Sequence, residues 1–421
     1  MISTAAAYAI WAIAALATAG ILIRPWRLPE AIWAVLGAAA LILLGLLPAG
    51  EALRAIGQGT DVYLFLAGMM LLAELARREG LFDFLAGHAA RAARGSAPRL
   101  FALVYGVGIL VTVFLSNDAT AVVLTPAVYA AARAAKAEPL PYLLICAFIA
   151  NAASFVLPIS NPANLVVFGS HMPPLLDWLG RFALPSALSI AVTYVVLRLS
   201  QSRALAAPIA REVATKPLSG GGRVTALAIA ATALLLLLAS GFGQPLGLPT
   251  FLAGAVAAAI LLLRRREAPW ALLKGISWSI LPLVAGLFVL VAGLERSGVL
   301  RALSRLLAES ARHSAIAAAS GAGIAVALVS NLVNNLPAGL LAGAALRQDD
   351  LPPALASGVL IGIDLGPNLS VTGSLATLLW LTALRREGQT ITAWDFLKLG
   401  MVVMPPALLA ALLGLLPTAS G

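Results

Sequence analysis

Long apolar tracts separated by short polar stretches dominate the chain. Tracts near residues 5–23, 29–47, 62–76, 182–199, 224–240, 249–263, 278–294 and 396–416 approach the roughly 20 residues that a helix needs to cross a bilayer. Four further tracts are apolar at both ends and polar midway. Residues 99–135 are interrupted by Ser116-Asn117-Asp118, and residues 314–346 by Asn331 and Asn334-Asn335-Leu336-Pro337. Residues 140–169 are interrupted by Pro158-Ile159-Ser160-Asn161-Pro162, and residues 352–384 by Asp364-Leu365-Gly366-Pro367-Asn368. Irregular backbone is tolerated at membrane depth only where protein or a water-filled cavity satisfies its polar groups. Four such breaks in one chain predict an internal polar site.

Composition sharpens this reading. Of 421 residues, 61% are hydrophobic and 11% charged, against about a quarter charged in a soluble domain. That leaves too little polar side chain to cover a water-facing surface, which excludes a soluble enzyme, a disordered chain and a secreted disulfide scaffold. The net charge of +10 comes from cations in short loops: Arg24 to Arg27, Arg77 to Lys136, Arg198 to Arg223, Arg264 to Lys274 and Arg385 to Lys398 hold 21 of the 28 Lys and Arg. This is the positive-inside pattern, so the partner is the lipid bilayer and no nucleic acid is expected. The first tract lacks a basic leader and cleavage motif and reads as a retained span.

Cofactor chemistry is not expected. Cys146 is the single cysteine, so neither an internal disulfide nor a thiolate cage is available, and its place on an apolar helix suits a packed thiol. No P-loop, dinucleotide fingerprint, HExxH or GxSxG is present; the chain is read as no enzyme, with no cofactor and no metal. His88 and His171 are expected in loops, and His313 at the end of a basic amphipathic stretch. Glu74 is expected to pair with Arg78 at a helix end.

The polar, basic loop 201–223 divides the chain into segments 1–200 and 224–421. At an offset of 218, Gly68 aligns with Gly286, Arg78 with Arg296 and Gly80 with Gly298. One residue less brings Asn117-Asp118 onto Asn334-Asn335, and Ser160-Asn161 falls near Thr372-Gly373. If 99–135 and 314–346 are re-entrant hairpins, and 140–169 and 352–384 are broken crossings, each half crosses five times and the second is inverted. An all-α membrane protein of two inverted repeats with broken helices at the midplane has the architecture of a secondary transporter.

Two carboxylates, Asp118 and Asp364, sit at the breaks between apolar runs. A charge at membrane depth costs a few kcal/mol and is rarely idle, so both are candidates for proton coupling or cation coordination, with helix capping as the alternative for Asp118. Asn117, Asn334 and Asn335 lie at the hairpin tips, where amides can satisfy free helix ends or bind an oxygen-rich solute. Asn151, Ser160, Asn161, Asn164, Asn368, Ser370, Thr372 and Ser374 add neutral groups at the other breaks. No Lys or Arg lies among the breaks, which disfavours a dianionic solute.

At these residues the chain resembles the ArsB family of arsenite efflux pumps, within the ion transporter superfamily. The resemblance is carried by Phe114-Leu115-Ser116-Asn117-Asp118-Ala119-Thr120-Ala121, Ser160-Asn161-Pro162-Ala163-Asn164-Leu165, Val333-Asn334-Asn335-Leu336-Pro337-Ala338 and, most specifically, Asp364-Leu365-Gly366-Pro367-Asn368-Leu369 through Gly373-Ser374-Leu375-Ala376-Thr377-Leu378-Leu379-Trp380. The resemblance implies export of arsenite or antimonite in exchange for protons at a prokaryotic inner membrane, a homodimeric scaffold and, in some members, docking of a soluble arsenite-stimulated ATPase. It also implies two re-entrant hairpins, with Asn117 and Asp118 at the first tip, Asn334 and Asn335 at the second, and Asp364 in the second broken helix. Two rivals remain: a sodium/proton antiporter on the same scaffold, and a passive membrane subunit of an ATPase-driven pump.

Overall fold

The computed structural model describes residues 3–169, 172–349 and 351–416, the side chain of Arg27 excepted; His171 lies outside them. Among the described residues the chain is helical, without strands. Its first half contains α1 (Thr4–Ile23), α2 (Glu30–Leu43), α3 (Ala49–Gln58), α4 (Thr60–Arg78), α5 (Leu81–Ala92), α6 (Ala97–Phe114), α7 (Thr125–Ala134), α8 (Leu140–Ala152), α9 (Pro162–Phe168) and α10 (Leu175–Ser200). The second contains α11 (Gly220–Gly241), α12 (Gly247–Arg265), α13 (Trp270–Lys274), α14 (Ile280–Arg296), α15 (Val299–His313), α16 (Ala315–Val333), α17 (Asn335–Leu346), α18 (Pro353–Leu365), α19 (Leu375–Arg386) and α20 (Ala393–Leu413). Among the described residues, seven unbroken helices are long and apolar enough to cross a membrane, and nine if the bent pairs α3–α4 and α14–α15 count as one span each. Leu227, Leu234, Val256 and Leu263 are among the large apolar side chains left exposed, as a lipid-facing surface requires.

Several contacts of the first half recur between helices ten places later in the chain. α4 lies along α12 as α14 lies along α2, α1 lies on α2 as α11 lies on α12, and α10 and α20 pack on each other. The three aligned residue pairs do equal work. A Cβ at Gly68 would collide with the Thr250 carbonyl, and one at Gly286 with the backbone of Ala34, so each glycine admits the crossing helix. Arg78 pairs with Glu267 at 2.9 Å and Arg296 with Glu51 at 3.0 Å. Gly80 and Gly298 adopt positive φ (70° and 84°) where α5 and α15 begin, a conformation that glycine enters without steric cost.

Several local expectations are corrected. α2 has 14 residues, shorter than the tract 29–47, because the backbone turns at Leu44 to Leu47 before α3. α11 begins at Gly220, inside the expected linker, because the Ser219 hydroxyl accepts from Gly222 N at 2.8 Å and caps it. Glu74 pairs with Arg77 at 2.6 Å, leaving Arg78 to Glu267. His88 lies on α5, with its Nδ1 2.8 Å from Phe84 O. Cys146 is fully buried on α8.

The tightest helix crossing positions the candidate site. Gly358, Gly362 and Gly366 recur every four residues along α18 and the turn after it, and a Cβ at any of them would strike α16 backbone at Ala319, Gly323 or Ala327. Small residues at this spacing let two helix backbones touch, the main source of helix association in lipid. Asp364 falls between the second and third glycines. Gly362→Ala should therefore destabilise the protein by about 1–3 kcal/mol through overpacking. Gly321→Ala, on the open side of α16 with nothing within 4 Å, should be neutral or gain up to about 1 kcal/mol. Thermal unfolding in detergent distinguishes the two.

Candidate functional site

The site is assembled from two helix tips and two helix breaks. At the first tip, α6 ends at Phe114 and the chain continues through a π-helical segment, Ala119–Leu124, into α7. Ser116 Oγ accepts from Ala119 N at 3.1 Å, and Asn117 Oδ1 accepts from Asp118 N at 2.9 Å. These groups, not Asp118, cap the π-helical segment. No hydrogen bond or ion pair among the described residues holds the Asp118 carboxyl, which is half-buried. The tip docks on the first break through Ser160, whose hydroxyl donates to Val113 O at 3.2 Å and accepts from Leu157 N at 3.2 Å. π-turns of this kind recur at functional sites because they re-aim side chains.

At the second tip one residue, Asn334, held at φ 74°, separates α16 from α17. Its Oδ1 accepts from Leu336 N at 3.3 Å and its Nδ2 reaches Thr372 O at 3.5 Å, while Asn335 N donates to Gly373 O at 2.8 Å. Asn331, one turn earlier, ties the tip to the second break more firmly. Its Nδ2 donates to Gly366 O at 3.0 Å, its Oδ1 accepts from Ser370 Oγ at 2.6 Å, and its carbonyl accepts from Thr372 Oγ1 at 2.9 Å.

The two breaks meet directly. Asn161, at the start of α9, donates from Nδ2 to Asp364 Oδ1 at 2.8 Å and accepts at Oδ1 from Ala163 N. Asn151, near the end of α8, donates from Nδ2 to Asn368 Oδ1 at 2.9 Å, and Asn368 Nδ2 donates to Phe148 O at 3.0 Å. Asp364 and Asn368 are fully inaccessible. Asp364 Oδ2, Asn151 Oδ1 and Asn164 Oδ1 are buried acceptors without a donor. The Ser154 hydroxyl faces Asp364, but it donates to Asn151 O at 2.8 Å, so its proton is committed elsewhere.

Of the ten site residues expected from sequence, the structure brings four together as two pairs across the breaks, Asn161 with Asp364 and Asn151 with Asn368. Ser160 serves the first tip, and Asn334, Asn335 and Thr372 join the second tip to the second break. Asn117 folds on its own tip, and no hydrogen bond connects Asp118 to Asp364. Ser154 and Asn331 also belong to these contacts, although the sequence marks them only as polar residues near a break.

Arg24 lies in the loop after α1, as the sequence predicts, but the structure brings a cation to a break that the sequence leaves without one: Arg24 pairs with Glu30, and both line a small cavity with Asn334, Pro337, Leu283 and Leu375. The chain fold after α1, and no local sequence signal, makes that approach.

Removing the amide that serves Asp364 isolates the energetics of the junction. Asn161→Ala should cost about 1–3 kcal/mol by leaving buried oxygen without its donor. In an Asp364→Ala background the same change should cost almost nothing, a coupling that a double-mutant cycle on thermal stability measures directly.

Known proteins share this architecture. The family model for the citrate transporter, CitMHS, matches residues 8–362. The arsenical pump membrane protein of Escherichia coli is 29% identical over 361 residues, covering 82% of this chain and 84% of that protein, and its Yersinia enterocolitica counterpart is similar to the same extent. An uncharacterised transporter of Mycobacterium tuberculosis is 26% identical over 91% of this chain and 92% of its own length. The YdaH transporter of Alcanivorax borkumensis, whose crystal structure has an unusual topology, superposes with a TM-score of 0.60 over 86% of each chain at 17% identity, a likeness of fold alone. With the family model matched over most of its length and its spans laid out as above, the chain is a multi-pass inner-membrane transporter belonging to the CitMHS family.

Proposed function

We propose that the protein is a secondary exporter of arsenite and antimonite that exchanges each solute for protons, with Asp364 and Asp118 carrying the protons and the amide-rich tips contacting the solute. The observation that carries the reading is the Asp364 carboxyl, sealed at the junction of the two halves with one amide donor and one bare oxygen. A buried carboxylate without compensating partners is costly, and protonation removes that cost, so loading and unloading a proton changes how firmly the junction closes. Asp118 suits the same work because other groups cap its tip and leave its carboxyl free. Each proton entering down 100 mV supplies about 2.3 kcal/mol, enough for a solute gradient of about 50-fold at one proton per solute.

The solute class follows from the lining. Arsenite is a small, neutral trihydroxy acid at physiological pH, and Asn, Ser, Thr and backbone groups match its hydroxyls. The ion pair of Arg24 with Glu30 is neutral as a unit, so it does not create the excess positive charge that a citrate-like trianion requires. The relatives named as arsenical pump membrane proteins support the assignment. The returning limbs, 16 residues from Ala119 to Ala134 and 12 in α17, are short for a crossing and fit re-entrant hairpins; two inverted halves of five crossings follow from that reading.

Purified protein in liposomes under an imposed pH gradient tests the proposal. Wild-type protein should accumulate arsenite. Asp364→Asn should abolish accumulation yet retain arsenite counterflow without a gradient, and Asp118→Asn should weaken accumulation. Gradient-driven accumulation that survives both changes overturns the proton role. Transport only with an added ATPase overturns autonomous pumping. One observation favours a second reading: bare acceptor oxygens on Asp364, Asn151 and Asn164 are the chemistry of a sodium site, and accumulation driven by sodium at matched pH would establish it.

A further inference from the structure

The loop joining α1 to α2 is built to present a guanidinium to the second tip. Two residues that line one cavity, Arg24 (50°) and Asn334 (74°), hold positive φ, as does Trp26 (55°) in the same loop as Arg24. Such backbone costs of order 1–3 kcal/mol per residue and persists only where surrounding structure enforces it. Here the enforcement is visible. Arg24 N donates to Gly20 O at 2.9 Å and ends α1, Trp26 stacks on Trp33 with ring centres 5.9 Å apart, and Gly20 leaves the space that the Trp33 ring occupies. The Arg24 and Glu30 side chains keep 29% and 14% of their surface. Glu30 Oε1 takes the Arg24 Nη2 group, whereas Arg24 Nε is buried without an acceptor.

The pair lines one cavity with Asn334 of the second tip, next to the second break. The cavity is bounded on one side by α1, α2 and α14, through Ile21, Leu283 and Leu287, and on the other by the second tip and the start of α19. Its volume of about 20 Å³ admits one water-sized group and not a whole solute.

We infer that Arg24 is a solute-binding residue: its guanidinium donates to one hydroxyl oxygen of a compact oxyacid held at the Asn334 tip. Glu30 is the positioning residue that aims the guanidinium and cancels its charge. The inference rests on the export reading above and adds a binding group from outside the four breaks. A planar fork suits an oxygen acid better than the point charge of lysine.

Arsenite uptake into proteoliposomes, with arsenic counted by mass spectrometry across sodium arsenite concentrations, tests it. Arg24→Gln should raise KM about ten-fold or more, the loss of a charge-assisted hydrogen bond, with the maximal rate largely kept. Glu30→Gln should raise KM by less, and the double variant should be no worse than Arg24→Gln. Arg24→Lys, which preserves charge and insertion, should also raise KM, and it decides the matter if Arg24→Gln fails to reach the membrane. Wild-type uptake with a KM unchanged in Arg24→Gln or Arg24→Lys overturns this inference alone. Absence of arsenite transport by the wild type overturns the export reading and this inference with it.

Discussion

The contact between the Asn161 amide and the Asp364 carboxyl, 2.8 Å long and fully sealed, constrains everything around it. It joins a helix start in the first half to a helix end in the second, 203 residues apart in sequence. Both helices are broken there, so four helix ends converge where no bulk water can serve them. Backbone groups at such ends need partners, and the partners are the amides and hydroxyls of the two breaks and the two tips. Asp364 is chargeable, and its protonation state acts directly on the Asn161 contact that holds the two breaks together.

The rest of the fold holds the junction in register. The glycine ladder seats α18 on α16 and leaves Asp364 on the other face, towards Asn161, and the indole of Trp380 ties α19 to Leu143 O on α8 at 3.0 Å. Around this core, the paired crossings of α4 with α12 and α2 with α14 form a second layer joined by its own ion pairs. The tips lie between the layers, each fastened to one break by a few hydrogen bonds and free of covalent or ionic anchors among the described residues. In the proposed transport cycle those fastenings are what exchange, while the ladder and the crossings persist.

The apolar pattern announced nearly all the long helices and all four breaks, because both are recorded in runs of residues. The motif Asp364 to Trp380 pointed to the junction, and Asn151, Asn161 and Asn368 were legible as neutral partners. What the pattern could not show was which polar groups spend their bonds on the backbone. Ser160 and Asn368 look like ligands in sequence, yet both use their bonds within the protein. Asp118 looks like a cap, yet Ser116 and Asn117 do the capping. Arg24 looks like a loop cation apart from the breaks, and only the folded chain brings it to the cavity beside Asn334. Hydropathy windows average over such turns, and pairing at distances of 200 residues leaves no local trace.

The most direct measurement is proton release on solute binding, without transport. Detergent-solubilised protein in weak buffer, mixed with arsenite in the presence of a pH indicator dye, reports whether occupancy expels a proton. The account predicts a release that saturates with arsenite and disappears in Asp364→Asn while binding persists. Saturable binding with no proton release in the wild type, or undiminished release in the variant, would contradict it.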